Sequence, residues 1–136
     1  MAFEENLYSI SLAADDSIAV YTGVPGQPGS PQPNSGFQYR FVKVTGKAQV
    51  GLCKAAADPA VGVLQNKPQV VGQAAQVGLW GVSKVQAGAA ISAGDMVTSD
   101  ATGQAVKATD AATRRGTALT SAANAGELVS VLLQNA

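Results

Sequence analysis

Apolar and polar positions alternate in short runs along this chain. Phe37-Gln-Tyr-Arg-Phe-Val-Lys-Val44 sets large apolar residues at 37, 39 and 41 with polar ones between them. That is the period-two pattern of a strand with one buried face, and it marks the aromatic anchor of a core. Downstream the rhythm returns in Ala60-Val-Gly-Val-Leu64, Ala75-Gln-Val-Gly-Leu-Trp-Gly-Val82, Met96-Val-Thr98, Ala105-Val-Lys107, Thr117-Ala-Leu119 and Leu128-Val-Ser-Val-Leu-Leu133. Upstream, Leu7-Tyr-Ser-Ile-Ser-Leu12 and Ser17-Ile-Ala-Val-Tyr-Thr22 are β-branched, aromatic and partly alternating, so each reads as a short strand. Turn residues punctuate these runs. Asp100-Ala-Thr-Gly103, Ala93-Gly-Asp95 and Asn124-Ala-Gly126 put glycine where a left-handed residue belongs, and Asp58-Pro59 starts another turn. The best helical candidate, residues 108–115, lasts only about two turns. Many short strands at near-regular spacing predict an all-β fold, a small β-barrel or sandwich.

The strands also recur in a fixed register. One constant shift lays Gly62-Val-Leu64 on Gly116-Thr-Ala118, and Gly72-Gln-Ala-Ala-Gln-Val-Gly-Leu79 on Gly126-Glu-Leu-Val-Ser-Val-Leu-Leu133. The same shift brings Phe41-Val-Lys-Val44 onto Asp95-Met-Val-Thr98. Residues 40–82 and 94–136 are therefore expected to be two related β units around one core.

Composition changes the picture mainly by exclusion. The chain has 136 residues, 46% of them apolar, enough for a single domain with a buried core. Nine basic against nine acidic residues give no net charge, so no global field draws it to nucleic acid or to an anionic membrane. The start is acidic where a secretory signal would be basic, and no uncharged apolar run is long enough to span a bilayer. Synthesis and folding in a cytosol are expected.

Charge is distributed unevenly. Residues 1–39 carry Glu4, Glu5, Asp15 and Asp16 and no base, whereas residues 40–54 carry Arg40, Lys43, Lys47 and Lys54 and no acid. Either the first segment packs back on the second, or it is an arm that leaves its own domain to dock on a neighbour. Most of the prolines fall in Gly23-Val-Pro-Gly-Gln-Pro-Gly-Ser-Pro-Gln-Pro-Asn-Ser-Gly36, an extended polyproline-type loop that serves as a spacer or an exposed projection. The resulting division is an N-terminal arm with its Pro/Gly-rich loop over residues 1–36 and a β domain over 37–136.

Candidate chemistry is sparse. Histidine is absent and the single cysteine, Cys53, reads as a small apolar filler, so His-based acid–base catalysis and the usual zinc ligand sets have nothing to draw on. No Ser-x-x-Lys motif or Gly-x-Ser-x-Gly elbow compensates, and Gly46-Lys47 lacks the upstream glycine of a phosphate loop. Asp95, Asp100 and Asp110 are accounted for as turn formers. Arg114-Arg115 reads as a solvated corner, and Trp80 as a core or subunit-interface residue or else as an exposed stacking platform. No catalytic, cofactor or metal site is expected, which leaves function by surface and assembly.

From Arg40 onward the sequence resembles the small capsid decoration (cement) proteins of tailed bacteriophages. The resemblance rests on the order and spacing of Phe41-Val-Lys-Val44, Ala60-Val-Gly-Val-Leu64, Val82-Ser-Lys-Val-Gln-Ala-Gly-Ala-Ala-Ile-Ser-Ala-Gly-Asp95, Val97-Thr-Ser-Asp100, Thr102-Gly-Gln-Ala-Val106, Gly116-Thr-Ala-Leu119 and Gly126-Glu-Leu-Val-Ser-Val-Leu-Leu133. It does not cover the first 36 residues. It implies a structural virion protein, not an enzyme, made in the host cytoplasm. Such a protein binds the outer surface of the mature head as a homotrimer, and it reinforces contacts among subunits of the major capsid protein. The arm would then supply the capsid contacts, with Phe3, Leu7, Tyr8 and Ile10 as anchors and Glu4 and Glu5 facing basic capsid surface. A carbohydrate-binding or host-adhesion module using Trp80, Tyr21 or the 23–36 loop is the alternative, and a small β-barrel enzyme the third option.

Overall fold

The computed structural model describes Ala2, residues 4–19, 21–22, 30–31 and 37–133. The alternating runs form β1 (Glu5–Ala14), β2 (Tyr21–Thr22), β3 (Ser30–Pro31), β4 (Phe41–Gly46), β5 (Gln49–Leu52), β6 (Ala60–Leu64), β7 (Ala74–Gln86), β8 (Met96–Ser99), β9 (Ala105–Lys107), β10 (Gly116–Ala118) and β11 (Leu128–Leu133). The fold is all-β, as the alternation demands.

Nine of these strands form one sheet in the order β1-β5-β4-β6-β7-β11-β10-β8-β9, and β1 pairs with β7 as well, so the first five close into a ring. The closing contact is parallel, Ala13 opposite Gln49 and Ala14 opposite Val50. On the other side, β9 reaches back to the end of β7 through a parallel bridge between Ala87 and Ala105. Strand order is the same in both halves, β5-β4-β6-β7 and β9-β8-β10-β11. The backbone bonds at the two closures also correspond. Ala14 donates to Gln73 O and accepts from Gly72, while Ala87 donates to Glu127 O and accepts from Gly126. Gly72 and Gly126 have φ of 91° and 92°, which suits a residue without Cβ. Ile18 and Ile91 follow these alanines at the same interval, and both are buried.

Each half encloses apolar side chains. Ala14, Ile18, Val42, Val50, Leu52, Leu64, Ala75 and Val77 fill the first ring. Val85, Ile91, Val97, Ala118, Val129 and Val131 fill the second half, where Phe41, Cys53 and Val63 join them. Burying each valine, leucine, isoleucine or phenylalanine among them stabilises the fold by about 1.5–3 kcal/mol. Phe41 ties the halves together, because its N–H donates to Gly103 O while its strand pairs with Val63.

The long strand β7 organises the outer surface. One edge takes β6 at Gly78 and Val77. β1 runs along the first part of β7, from Ala13–Ala74 to Glu5–Val82, and β11 along the last, from Leu133–Gly81 to Leu128–Gln86; the two overlap at Val82, which has Glu5 on one edge and Leu132 on the other. Gly81 sits where the two strands overlap, at φ 105°, and a Cβ there would run into the Asn6 carbonyl. Asn6 itself has φ 50°, and the β1–β7 register slips on either side of Tyr8.

Several expectations are corrected. Residues 5–14 are a strand of the main sheet, not an arm standing off it, because β7 otherwise exposes an unpaired edge and because Ala14 and Ile18 are fully buried. Residues 17–19 turn instead of extending: Asp15 Oδ1 accepts from Ser17 N at 2.8 Å and from Ser17 Oγ at 2.6 Å. The Leu52 N–H donates to that Ser17 Oγ at 2.8 Å, which locks the turn onto β5. The strand expected from Phe37 starts at Phe41, since Tyr39 has φ 66°. The helical candidate shrinks to a 3₁₀ turn, Ala111–Thr113, capped by Asp110. Apart from Ser30 and Pro31, the 23–36 stretch lies outside the described residues, and so does its reading as a spacer or projection.

Candidate functional site

Among the described residues a partly open pocket between the two halves, lined by Phe41, Ala60, Val61, Gly62, Leu79, Arg115 and Leu133, measures about 10 Å³, the size of one water. No cluster of three or more metal-ligating side chains occurs among them, and no helix is long and apolar enough to cross a membrane. Cys53 is fully buried, and burial pushes its thiol up to about 12. The nearby polar groups brace the fold. Lys43 donates to Asp58 at 2.8 Å, which holds the carboxylate below its usual range with help from the Lys54 N–H, and which raises the ammonium. The expected solvated corner at Arg114-Arg115 is instead half-buried, with Arg115 donating to Asp58 O at 2.9 Å. Arg40 bridges Gln86 Oε1 and Thr102 O, and burial lowers its guanidinium against the opposing Asp100 charge.

The outer face is different. Directly opposed residues of antiparallel strands point to the same side, so register defines what lies together. Tyr8 opposes Trp80, Leu132 opposes both Val82 and Thr117, and Leu128 opposes Gln86. Leu119, whose N–H donates to Ser130 O, continues this face on the far side of β11. Tyr8 and Trp80 stack with centroids 4.6 Å apart and rings 4° from parallel. They are 53% and 55% exposed, and Leu119, Leu128 and Leu132 are exposed beside them. Five of the seven large apolar side chains that reach solvent among the described residues thus share one surface, across β1, β7, β11 and β10. Lys84 is the charged residue on the β7 part of this face, with its ammonium 6.0 Å from the Tyr39 ring. Several exposed apolar side chains gathered on one face of a weakly charged protein are the mark of an interaction surface.

The sequence-derived anchor residues fall around this face unequally. Tyr8 lies in its centre. Ile10 is 37% exposed but opposes Val77, on the inner side of the ring where the wall opens. Leu7 is half-buried and packs against the second core, so it is structural. Glu4 is exposed, Glu5 pairs through its backbone with Val82, and Phe3 lies outside the described residues. Trp80 is not a core residue. Sequence reasoning missed Leu119, Leu128 and Leu132, although the leucines at 128 and 132 occupy outward positions of a period-two strand and carried the signal.

Residues 38–133 match a family model described as phage cement protein. No curated protein matches the sequence. Among solved structures, the N base of the head fiber gp8.5 of bacteriophage phi29 superposes with a TM-score of 0.62, at 21% identity over 94% of each chain. At that identity the likeness establishes the fold, and it extends over nearly the whole chain.

Proposed function

Because this chain belongs to the phage cement protein family, we propose that it binds the outer surface of the mature head and stabilises contacts between major capsid subunits. It is a capsid-associated structural protein of a phage; which surfaces meet is the proposal. The observation that carries it is the exposed face built on the Tyr8–Trp80 stack with Leu119, Leu128 and Leu132. A rigid sheet presents these groups without ordering cost, and many weak identical contacts per particle add up through multivalency. Homotrimers on the shell are part of the same reading, with Tyr8 as the central contact of the β1 region and Glu4 and Glu5 at its rim.

The test is co-sedimentation of purified protein with heads that lack it, followed by thermal release of packaged DNA. Wild-type protein should saturate the heads and raise the release temperature. Trp80→Ala and Leu132→Ser should bind at least about tenfold more weakly while staying folded, as expected when a buried anchor of an interface is removed. Equal binding by both variants would remove this face from the interface, and no binding by wild type would defeat the reading.

A further inference from the structure

The wall of the first ring has a gap. Strand backbones alternate the direction of their hydrogen-bonding groups, and β1 shows which residues point where. Ala14 N–H donates to Gln73 O on the β7 side, whereas Ala13 N–H donates to Ala48 O on the β5 side. The β1–β7 register is continuous from Ser9–Gly78 to Ala13–Ala74, so Ser9 and Ser11 share the direction of Ala13 and face away from β7. On that side β5 meets β1 only at Ala13 and Ala14. No described residue pairs with the N–H and C=O of Ser9 and Ser11. A groove of about 340 Å³ opens at the end of this edge, lined by Ser11, Leu12, Ala13, Ala48, Gly72 and Ala74.

Proteins usually guard such an edge with lysine, proline or a bulge. Here the outward side chains are Ser9, Ser11 and Ala13, all small, and the register slip lies beyond Ser9 at Tyr8. Ser9 Oγ is held by Gln76 Nε2 at 2.9 Å, which keeps it on the outer face and out of the edge. Two donors and two acceptors at strand spacing fit one kind of partner, another extended backbone. Tyr8, the neighbour of Ser9, belongs to the exposed apolar face, so edge and face form one continuous surface.

We propose that the β1 edge at Ser9 and Ser11 receives an extended segment of the capsid protein as an added strand, an inference that rests on the capsid-binding reading. Proline tests it, because at positions 9 and 11 it removes only the outward N–H and leaves the β7 ladder intact. The full-length Ser9→Pro/Ser11→Pro variant should keep the wild-type spectrum and melting temperature and bind heads about tenfold or more weakly, the loss expected for two hydrogen bonds. Ser9→Ala/Ser11→Ala should bind like wild type. Amide hydrogen exchange supplies the second readout: Ser9 and Ser11 should exchange freely in the isolated protein and become protected on heads.

A folded proline variant with wild-type affinity overturns the strand addition while leaving head binding in place. If that variant does not fold, unprotected Ser9 and Ser11 amides in head-bound wild type overturn it instead. Protection that rises with protein concentration in the absence of heads identifies a second copy as the occupant and overturns the capsid assignment. Failure of wild type to bind heads at all is the separate failure of the underlying reading.

Discussion

Ile18 decides whether the N-terminal segment is part of the domain. It lies on the turn after β1, is fully buried, and packs in the first ring with Ala14, Val42, Val50, Leu64 and Val77. Ile18→Ala removes three carbons, about 2.4 kcal/mol at about 0.8 kcal/mol each. The surrounding ring is closed by strand pairing and collapses poorly, so a cavity penalty adds to this, for a total of about 3–4 kcal/mol. A domain of this length holds about 7–15 kcal/mol, so the variant remains folded but visibly weakened. Urea unfolding is the assay: with a slope of about 2 kcal/mol per molar, the midpoint should fall by roughly 1.5–2 M at unchanged slope. Ile91→Ala, at the corresponding position of the second half, should lose a similar amount. Ile10→Ala, already 37% exposed, should lose only about 1 kcal/mol. A loss below about 1 kcal/mol for Ile18→Ala would refute the packing argument and return residues 1–19 to the status of a detached arm.

Other outcomes follow from the same structure. Deleting residues 2–12 should lower the melting temperature steeply, because it strips the β7 edge and uncovers Ala75 and Val77; a deletion that melts like wild type would contradict the closed ring. Gly81→Ala should destabilise by at least about 2 kcal/mol, since φ 105° and the Asn6 carbonyl both oppose a Cβ, whereas Gly94→Ala, at φ 95° with open space around it, should lose only about 1 kcal/mol. Cys53 should resist alkylation until the protein unfolds. Its folded pKa of about 12 lies above the unfolded value, so the folded state holds the proton longer. Stability contributed by that proton is complete below about pH 8.5 and declines above it, by up to about 1.4 kcal/mol per pH unit, and Cys53→Ala should flatten this part of the urea-midpoint profile. Asp58 has the opposite sense: its depressed pKa gives stability present at neutral pH and lost in acid as the pH falls through the folded value, and Asp58→Asn should lack that acid-side loss.

What the sequence made legible was local. Strand runs such as 60–64, 105–107 and 128–133 were read from period-two alternation, and Gly94, Gly103 and Gly126 were read as left-handed because only turn chemistry explains glycine there. The failures have physical causes that alternation does not encode. Ser17-Ile-Ala-Val is β-branched enough to extend, yet the Asp15 carboxylate captures the Ser17 N–H and bends the chain. Phe37 and Tyr39 alternate with Phe41, but the positive φ of Tyr39 breaks the strand between them. Tyr8 and Trp80 stand far apart in the sequence, and only the long-range β1–β7 register stacks them. The acids of residues 1–39 suggested pairing with the bases of 40–54, but Lys43 finds Asp58 instead, from beyond both segments.

The overlap of β11 and β1 on the two edges of β7 has a consequence for anything attached to the chain. Glu5 and Leu133 arrive at adjacent positions of the same strand, opposite Val82 and Gly81, next to Trp80. Strand β1 therefore begins close to where β11 ends, across the width of β7. An affinity tag or reporter at either end would be attached to a strand that reaches the neighbourhood of the aromatic stack. A label that spares this surface belongs elsewhere, for instance at the exposed Ala123–Ala125 turn. Conversely, a linker from Leu133 to Glu5 that crosses over β7 would close the chain on itself. The domain then becomes a closed circuit that can be reopened at another turn, with both new ends carried away from the Tyr8–Trp80 face.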